Sequence, residues 1–174
     1  EKGIMFHTDA VQAVGKIPID LKTTKIDMLS LSGHKLHAPK GIGVLYLRRG
    51  CRFRPLLRGG HQERGRRAGT EASASIVALG KACEMALANM PKKNTEVRRL
   101  RDKLEAGILG QITHCFPTGD VANRLPNTCN IAFEYIEGEA ILLLLNKLGI
   151  AASSGSACTS GSLEPSHVMR AMGI

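Results

Sequence analysis

Several features common among small proteins are missing from this 174-residue sequence, and each absence argues against a class of protein. No tryptophan is present and only 3% of the residues are aromatic, too few for a platform that stacks nucleic-acid bases. No apolar run approaches the length of about 18 residues that a transmembrane helix needs. Five cysteines occur without a CxxC pair, which disfavours a zinc ribbon or a thioredoxin-like motif. We therefore expect a globular protein with no membrane partner.

The beginning of the chain lacks two further features. Residues 1–15 have no basic start followed by an apolar core, so no secretory signal is predicted. The first residue is not methionine, and the run from Gly3 to His7 is typical of the approach to a strand. We therefore expect a fragment of a longer polypeptide, located in the cytoplasm with its thiols free.

Positive charge is abundant and unevenly distributed. The net charge is +9, and much of it falls in one arginine-rich segment, residues 48–67. This segment is either a solvated or subunit-facing surface, or a site for anions such as nucleic acid or phosphate. Phe53 is the single aromatic residue of this segment. No nucleic-acid-binding motif accompanies the segment, so we expect no nucleic-acid partner. The arginines are Arg48, Arg49, Arg52, Arg54, Arg58, Arg64, Arg66 and Arg67.

The hydrophobic pattern predicts an α/β fold. Short apolar runs bounded by glycine or polar turns are typical of strands buried on both faces, and longer stretches have helical spacing. The break at Pro91 to Asn94 is the candidate domain boundary. Predicted strands are residues 3–7, 26–31, 41–47, 128–133 and 150–153; predicted helices are residues 71–89, one that follows Pro91, 138–148 with Gly149 as its C-terminal glycine, and 165–172.

Two groups of polar residues follow predicted strands in the first half. A lysine at a buried strand end, Lys35 after Ser32 and His34, is costly unless it has a covalent partner such as a carbonyl cofactor. Asp9 could keep the pyridine nitrogen of pyridoxal phosphate (PLP) protonated, and Gln12 could donate to the ring hydroxyl. The alternatives are a surface lysine in a loop and an aspartate that caps a helix.

Two further segments carry candidate functional residues. Thr70 follows Gly69 at the predicted start of a helix, where backbone N–H groups and the helix dipole favour a phosphate. The alternative is a helix N-cap. Cys158 lies near the centre of residues 153–162, a segment rich in serine and glycine that cannot pack as a core element. A structural cysteine prefers apolar packing and a nucleophilic one needs access, so the pattern favours a nucleophile.

Four long segments together span nearly the whole chain: HTDAVQAVGKIPID, SGHKLHAPKGIGVLYLRRG, GGHQERGRRAGTE and SSGSACTSGSLEPSHVMRAMGI. On these segments the chain resembles the NifS-type cysteine desulfurases, PLP-dependent enzymes of the class-V aminotransferase family. The segments occur in the family's order. GGHQERGRRAGTE and EGEAILLLLN resemble the nitrogen-fixation branch more than the housekeeping branch. One departure is Ala72, where close relatives usually carry asparagine.

The resemblance implies a role for each candidate residue. It also implies a homodimer, because Thr70 resembles a ligand that reaches the cofactor phosphate from the second subunit. Lys35 resembles the lysine that binds PLP covalently, Asp9 the partner of the pyridine nitrogen, Gln12 the ligand of the ring oxygen, Ser32 and His34 the phosphate ligands, and Cys158 the sulfur acceptor.

The implied reaction converts L-cysteine to L-alanine and leaves a persulfide on Cys158, whose sulfur passes to an iron–sulfur scaffold protein. No stable metal site is expected, although Cys158 could be a transient cluster ligand shared with the scaffold. The implied fold is PLP-dependent fold type I. Residues 1–92 would form part of the large domain, with a mostly parallel sheet, and residues 93–174 most of a small α+β domain. Relatives also have an N-terminal segment with a histidine that stacks on the PLP ring and a C-terminal arginine that binds the substrate carboxylate. Neither is present, so we expect little activity from this chain alone.

Three competing functions stay open at this stage. Selenocysteine lyase and cysteine-sulfinate desulfinase are sister activities that depend less on an enzymic thiol. A basic nucleic-acid-binding module and a metal- or cluster-binding domain belong to different classes of protein. Activity on cysteine after replacement of Cys158 would separate the sister activities, and the visible spectrum of bound PLP would separate the other two.

Overall fold

The structure is a computed structural model that describes residues 3–153 and 167–174. The described residues form both strands and helices, in agreement with the α/β class. The strands are β1 (His7–Asp9), β2 (Met28–Ser32), β3 (Gly43–Leu47), β4 (Cys115–Pro117) and β5 (Ile131–Phe133). The helices are a 3₁₀ helix (Gly33–Leu36), α1 (Gln62–Gly65), α2 (Ser73–Gln111), α3 (Gly138–Lys147) and α4 (His167–Ala171).

The first sheet has the strand order β1-β2-β3. β1 and β2 are parallel, as expected for the large domain, whereas β2 and β3 are antiparallel. Leu29 in β2 and Ala10 after β1 are 4% and 3% exposed and belong to the core. On β3, however, Val44 and Leu45 are 43% and 42% exposed. The expectation of strands buried on both faces is therefore wrong for β3.

Two predicted strands differ from the structure at the chain's margins. Residues 3–7 were expected to form the first strand, but β1 begins at His7, and Ile4 is 79% exposed. Residues 150–153 form no strand, because the Ile150 N–H donates to the Leu145 carbonyl at 2.9 Å and closes α3. Gly149, with φ 75°, gives α3 the predicted glycine end in a Schellman arrangement.

The largest correction concerns Pro91. The sequence predicted two helices separated at this proline, yet α2 runs without interruption for 39 residues from Ser73 to Gln111. Asn94 lies one turn beyond the proline, and its Nδ2 donates to the Lys16 carbonyl. A tertiary contact thus holds this part of the helix, and the missing N–H of one proline does not end it.

The second sheet pairs β4 and β5 in antiparallel fashion, with Phe116 opposite Ala132. β4 was not predicted, and β5 is shorter than the strand expected at residues 128–133. Two compact units divide the chain: Glu1–Gly107 with Asp120–Cys129, and Ile108–Gly119 with Asn130–Ile174. The domain boundary near residue 92 stays a prediction. Within the described ranges, no helix has both the length and the apolar character to span a membrane.

Candidate active site

The carboxyl ends of β1 and β2 lie side by side at one edge of the first sheet. The strands are parallel, and Asp9 at the end of β1 is aligned with Ser30 in β2. The Ala10 N–H donates to the Ser30 carbonyl at 2.9 Å and extends this pairing by one residue. Because open α/β sheets bind ligands beyond the carboxyl ends of their strands, this edge is the candidate site, and we call it the Lys35 edge.

The 3₁₀ helix Gly33–Leu36 follows β2 directly and carries the candidate lysine. Ser32 has extended backbone, and its Oγ lies 2.7 Å from His34 Nδ1. Leu36 is 8% exposed and anchors the segment in the core, while the side chains of His34 and Lys35 are exposed. The strand end therefore presents a hydroxyl, an imidazole and an ammonium group on anchored backbone.

Two residues fix the backbone of this segment. The Gly33 N–H donates to the Ile42 carbonyl at 2.9 Å, and a Cβ on Gly33 would lie 2.7 Å from Ile42 Cγ2. Only glycine therefore fits there without displacement of Ile42. His37 ends the 3₁₀ helix in the left-handed region, with φ 64°, and its N–H donates to the His34 carbonyl at 3.3 Å. The C-cap of the 3₁₀ helix thus lies two residues after Lys35.

Asp9 brings a carboxylate to the same edge. Its Oδ1 accepts a hydrogen bond from the Val11 N–H at 2.9 Å, which begins the helical turn that follows β1. Two residues earlier, His7 Nε2 lies 2.8 Å from Ser30 Oγ. Because residues two apart share a face of a strand, His7 and Asp9 lie on one face of the sheet. Asp9 is exposed and can face a cationic ring nitrogen.

Gln12 lies on that helical turn, and its side chain is held by Lys16. Lys16 Nζ donates to Gln12 Oε1 at 3.1 Å and to the Gln12 carbonyl at 2.8 Å. Burial, followed by repulsion from Lys35 and Lys93, lowers the pKa of Lys16.

A family comparison identifies the fold to which this edge belongs. The family model described as Aminotransferase class-V matches residues 1–173. The chain belongs to the class-V aminotransferase family. This membership confirms the PLP-dependent fold and the resemblance found on the sequence motifs.

Individual class-V aminotransferase relatives give the same result. The cysteine desulfurase NifS of Azotobacter vinelandii is 80% identical over 174 residues, which are 100% of this chain and 43% of that protein. A solved NifS-like protein has a TM-score of 0.83 and 37% identity, covering 97% of this chain and 43% of its own. SspA in complex with cysteine has a TM-score of 0.72 and 35% identity, covering 98% and 46%. The chain thus spans less than half the length of these relatives.

The groups at the Lys35 edge fit PLP, the cofactor of these class-V aminotransferases. PLP presents an aldehyde, a ring nitrogen, a ring oxygen and a phosphate, and each needs a different partner. The edge carries an amine on Lys35, a carboxylate on Asp9, and a hydroxyl paired with an imidazole at 2.7 Å. The neighbouring turn adds an amide on Gln12. The individual roles of these residues stay predictions.

Thr70 lies in a different segment, before α2. It is exposed, and α2 begins three residues later at Ser73. The neighbouring Gly69 N–H donates to Gln62 Oε1 at 3.1 Å, so the loop is folded on itself. No described hydrogen bond joins this loop to the Lys35 edge within residues 3–153. The predicted role of Thr70 as a ligand of the cofactor phosphate in a second subunit is therefore compatible with the exposure of Thr70. None of its described contacts tests that role.

Arg48 differs from the other arginines with which the sequence grouped it. Its Nε donates to the Ile26 carbonyl at 2.9 Å, and its Nη2 donates to the carbonyls of Leu21 and Thr24 at 3.0 and 2.8 Å. The guanidinium therefore holds the loop that precedes β2, a role that neither alternative for the arginine-rich segment included. The one indication of this role in the sequence is the position of Arg48, which directly follows β3, unlike the other arginines of the segment.

Cys158 lies outside the described residues. The cysteines that the structure describes are Cys51, Cys83, Cys115 and Cys129, all as free thiols. Burial and a hydrogen bond to Glu105 raise the pKa of the Cys129 thiol, which makes it a weak nucleophile. Among the described residues, no group of three or more metal-ligating side chains occurs.

A further polar pair was missed by sequence reasoning. Arg124 Nη2 donates to Glu105 Oε1 at 2.7 Å, and a second bond joins Nη1 to Oε2. The two side chains are only 11% and 14% exposed. The pair ties the loop before β5 to α2. The signal was absent from the sequence because the two residues lie 19 positions apart on different elements.

Proposed function

We propose that this chain forms part of a PLP-dependent cysteine desulfurase. The observation that carries the proposal is the parallel pairing of β1 and β2, which puts Asp9 at the sheet edge from which Lys35 projects. The relative that is 80% identical over the whole chain is named a cysteine desulfurase, which supports this activity over those of other PLP enzymes.

The proposed roles follow the chemistry of each group. When bound, PLP supplies an electron sink that weakens bonds at the substrate's α-carbon. Lys35 provides the covalent attachment and, once released, an amine that moves the substrate's α-proton. Asp9 would pair with the pyridine nitrogen, and Gln12 would donate to the ring oxygen. Ser32 and His34 would bind the phosphate, together with Thr70 of the second subunit.

Cys158 is the proposed sulfur acceptor. Its thiolate forms an S–S bond with the sulfur of L-cysteine as the substrate's C–S bond breaks, and L-alanine is the other product. Cys129 is unsuited to this step because Glu105 and burial keep its thiol protonated. The resulting persulfide would supply an iron–sulfur scaffold, with Cys158 as a transient cluster ligand. Nitrogen fixation is the proposed setting, supported by the NifS relative.

The proposal also includes a homodimer in the cytoplasm. Many apolar side chains of the described residues are exposed, among them Leu56 at 93% and Val77 at 72%. Such surface is available for burial by flanking segments or a second subunit. The free thiols of the described cysteines are compatible with a reducing compartment.

The test uses the full-length protein, meaning this chain together with the flanking segments that complete the length of its relatives. With L-cysteine and dithiothreitol, which reduces the Cys158 persulfide to the thiol and sulfide, we expect alanine and sulfide in equal amounts. Cys158→Ala should retain bound PLP but release no sulfide, whereas Cys115→Ala, a thiol that donates to the Ile112 carbonyl, should keep full activity. Undiminished sulfide release by Cys158→Ala would contradict the assignment and favour one of the sister activities.

A further inference from the structure

We infer that Lys16 is a positioning residue that sets the orientation of the Gln12 amide toward the PLP ring oxygen. The inference rests on the proposed function, because it deepens the role given to Gln12. It starts from two hydrogen bonds made by one group. The Lys16 ammonium group donates both to the Gln12 carbonyl, at 2.8 Å, and to Gln12 Oε1, at 3.1 Å.

The chemistry of the ammonium group decides which end of the amide it contacts. An ammonium group has three donors and no acceptor, so the atom that faces Lys16 must be the amide oxygen. The NH2 group of Gln12 then points to the other side. In this orientation Gln12 can only donate to a ligand at its free end, which is what an electron-rich ring oxygen requires.

Lys16 also strengthens that donor. Hydrogen bonds in a chain polarise one another, and a bond from a charged donor is stronger than a neutral one. When Lys16 draws electron density toward Oε1, the N–H bonds of the amide become better donors. An apolar residue at position 16 would leave the Gln12 amide N–H groups weaker as hydrogen-bond donors. It would also leave the amide free to rotate between its two orientations.

Packing on both sides fixes the backbone of the turn that carries Lys16. The preceding Gly15 has φ 77°, and a Cβ there would lie 2.7 Å from Leu36 Cδ2 in the 3₁₀ helix. On the other side, Asn94 Nδ2 of α2 donates to the Lys16 carbonyl. The backbone of the Gln12–Lys16 turn thus packs between the segment that carries Lys35 and the long helix.

A purely structural role is the competing explanation, since Lys16 also bonds to the Gln12 carbonyl within the turn. The two roles differ in one respect. A residue that acts through the Gln12 amide loses its effect on PLP when that amide is removed, whereas a residue that only stabilises the turn keeps its effect.

The experiment is a double-mutant cycle in the full-length protein with PLP as the probe. The PLP dissociation constant and the visible absorption band are measured for Lys16→Met, Gln12→Leu and the double variant. We expect Lys16→Met to weaken PLP binding roughly tenfold, the effect of one lost charge-assisted contact. It should shift the absorption band in the same direction as Gln12→Leu, and it should change neither value further in the Gln12→Leu background.

Lys16→Arg keeps a donor at this position and should retain most of the affinity and the wild-type band. Lys22→Met, an exposed lysine on the next turn, is the matched control and should match wild type. An unchanged dissociation constant in Lys16→Met, or an equal loss with and without Gln12, would overturn the inference. If Lys16→Met does not fold, the same criteria apply to Lys16→Gln, and Lys16→Arg stays the variant that is expected to retain the affinity. A wild-type protein that binds no PLP would instead refute the proposed function.

Discussion

At the scale of single residues, the neighbours of Lys35 distinguish it from other lysines of the chain. Ser32 and His34 precede it within one turn, whereas Lys40 lies beyond Pro39 and outside the 3₁₀ helix. In the full-length protein, Lys35→Ala should therefore abolish covalent PLP attachment, and Lys40→Ala, the matched control, should leave it intact. Borohydride reduction followed by peptide mapping measures the site of attachment. Labelled peptide at Lys40 or at another lysine would contradict the assignment.

The identities of the candidate residues could be predicted from the sequence, but their contacts could not. Even the 2.7 Å contact between Ser32 and His34, which are close in sequence, depends on the conformation of the turn between them. The direction of the Gln12 amide depends on which donor reaches it, and periodicity does not contain that information. Arg48 shows the same limit, since charge density suggested either a solvated or subunit-facing surface or an anion site, while its donors bind three carbonyls.

At the scale of elements, local propensity predicted the helical character on each side of Pro91 and failed at the proline itself. Proline lacks one N–H donor, which penalises a helix interior by about 3 kcal/mol. In α2 that penalty is opposed by the long helix on both sides and by the bond from Asn94 to Lys16. That bond joins residues 78 positions apart, beyond the reach of any local pattern.

The attachment of the loop before β5 to α2 yields a stability prediction. Glu105→Gln should destabilise the full-length protein by about 1.5–3 kcal/mol, because it leaves Arg124 partly buried without its ionic partner. Chemical denaturation measures this change. Glu96→Gln is the matched control: Glu96 pairs with Arg99 on the same helix, but both side chains are more than half exposed, and little change is expected.

The same pair predicts how stability depends on pH. The hydrogen bonds from Arg124 lower the pKa of Glu105 from its usual 4.5 to about 2. A carboxyl group with a lowered folded-state pKa stabilises the protein above pH 4.5, and this contribution is lost as the pH falls toward about 2. The stability difference between wild type and Glu105→Gln should therefore narrow over that range. A difference that stays constant down to the lower limit would contradict the ionic explanation.

At the scale of the whole molecule, the α/β class followed from the alternation of short apolar runs and helical stretches. The antiparallel direction of β3 and the existence of β4 did not, because strand pairing is a long-range property. Part of the difficulty in predicting the first sheet comes from apolar residues that are exposed in this chain. The pattern of β3 predicts burial on both faces, while Val44 and Leu45 are more than 40% exposed in this chain.

The whole-molecule scale also includes the question of whether residues 1–174 are active without flanking segments. The sequence resemblance implies that the ring-stacking histidine and the arginine that binds the substrate carboxylate lie outside these 174 residues, and misplacement by about 1 Å can reduce a rate roughly a hundredfold. We therefore expect little or no sulfide release from the 174-residue chain with added PLP, measured beside the full-length protein. Comparable rates from the two proteins would mean that the site is complete within this chain.

The proposed sharing of Thr70 between subunits can be tested by complementation. If Thr70 binds the phosphate of the other subunit's PLP, a heterodimer of one Lys35→Ala subunit and one Thr70→Ala subunit concentrates both defects in one site and leaves the other intact. Such a heterodimer, purified through two different tags on the full-length subunits, should have about half the wild-type activity, since a two-fold dimer has two equivalent sites. Each homodimer of a single variant should be impaired. If Thr70 instead served its own subunit, both sites of the heterodimer would be defective, and its activity would not exceed the mean of the two homodimers. A fully active Thr70→Ala homodimer would remove Thr70 from the site altogether.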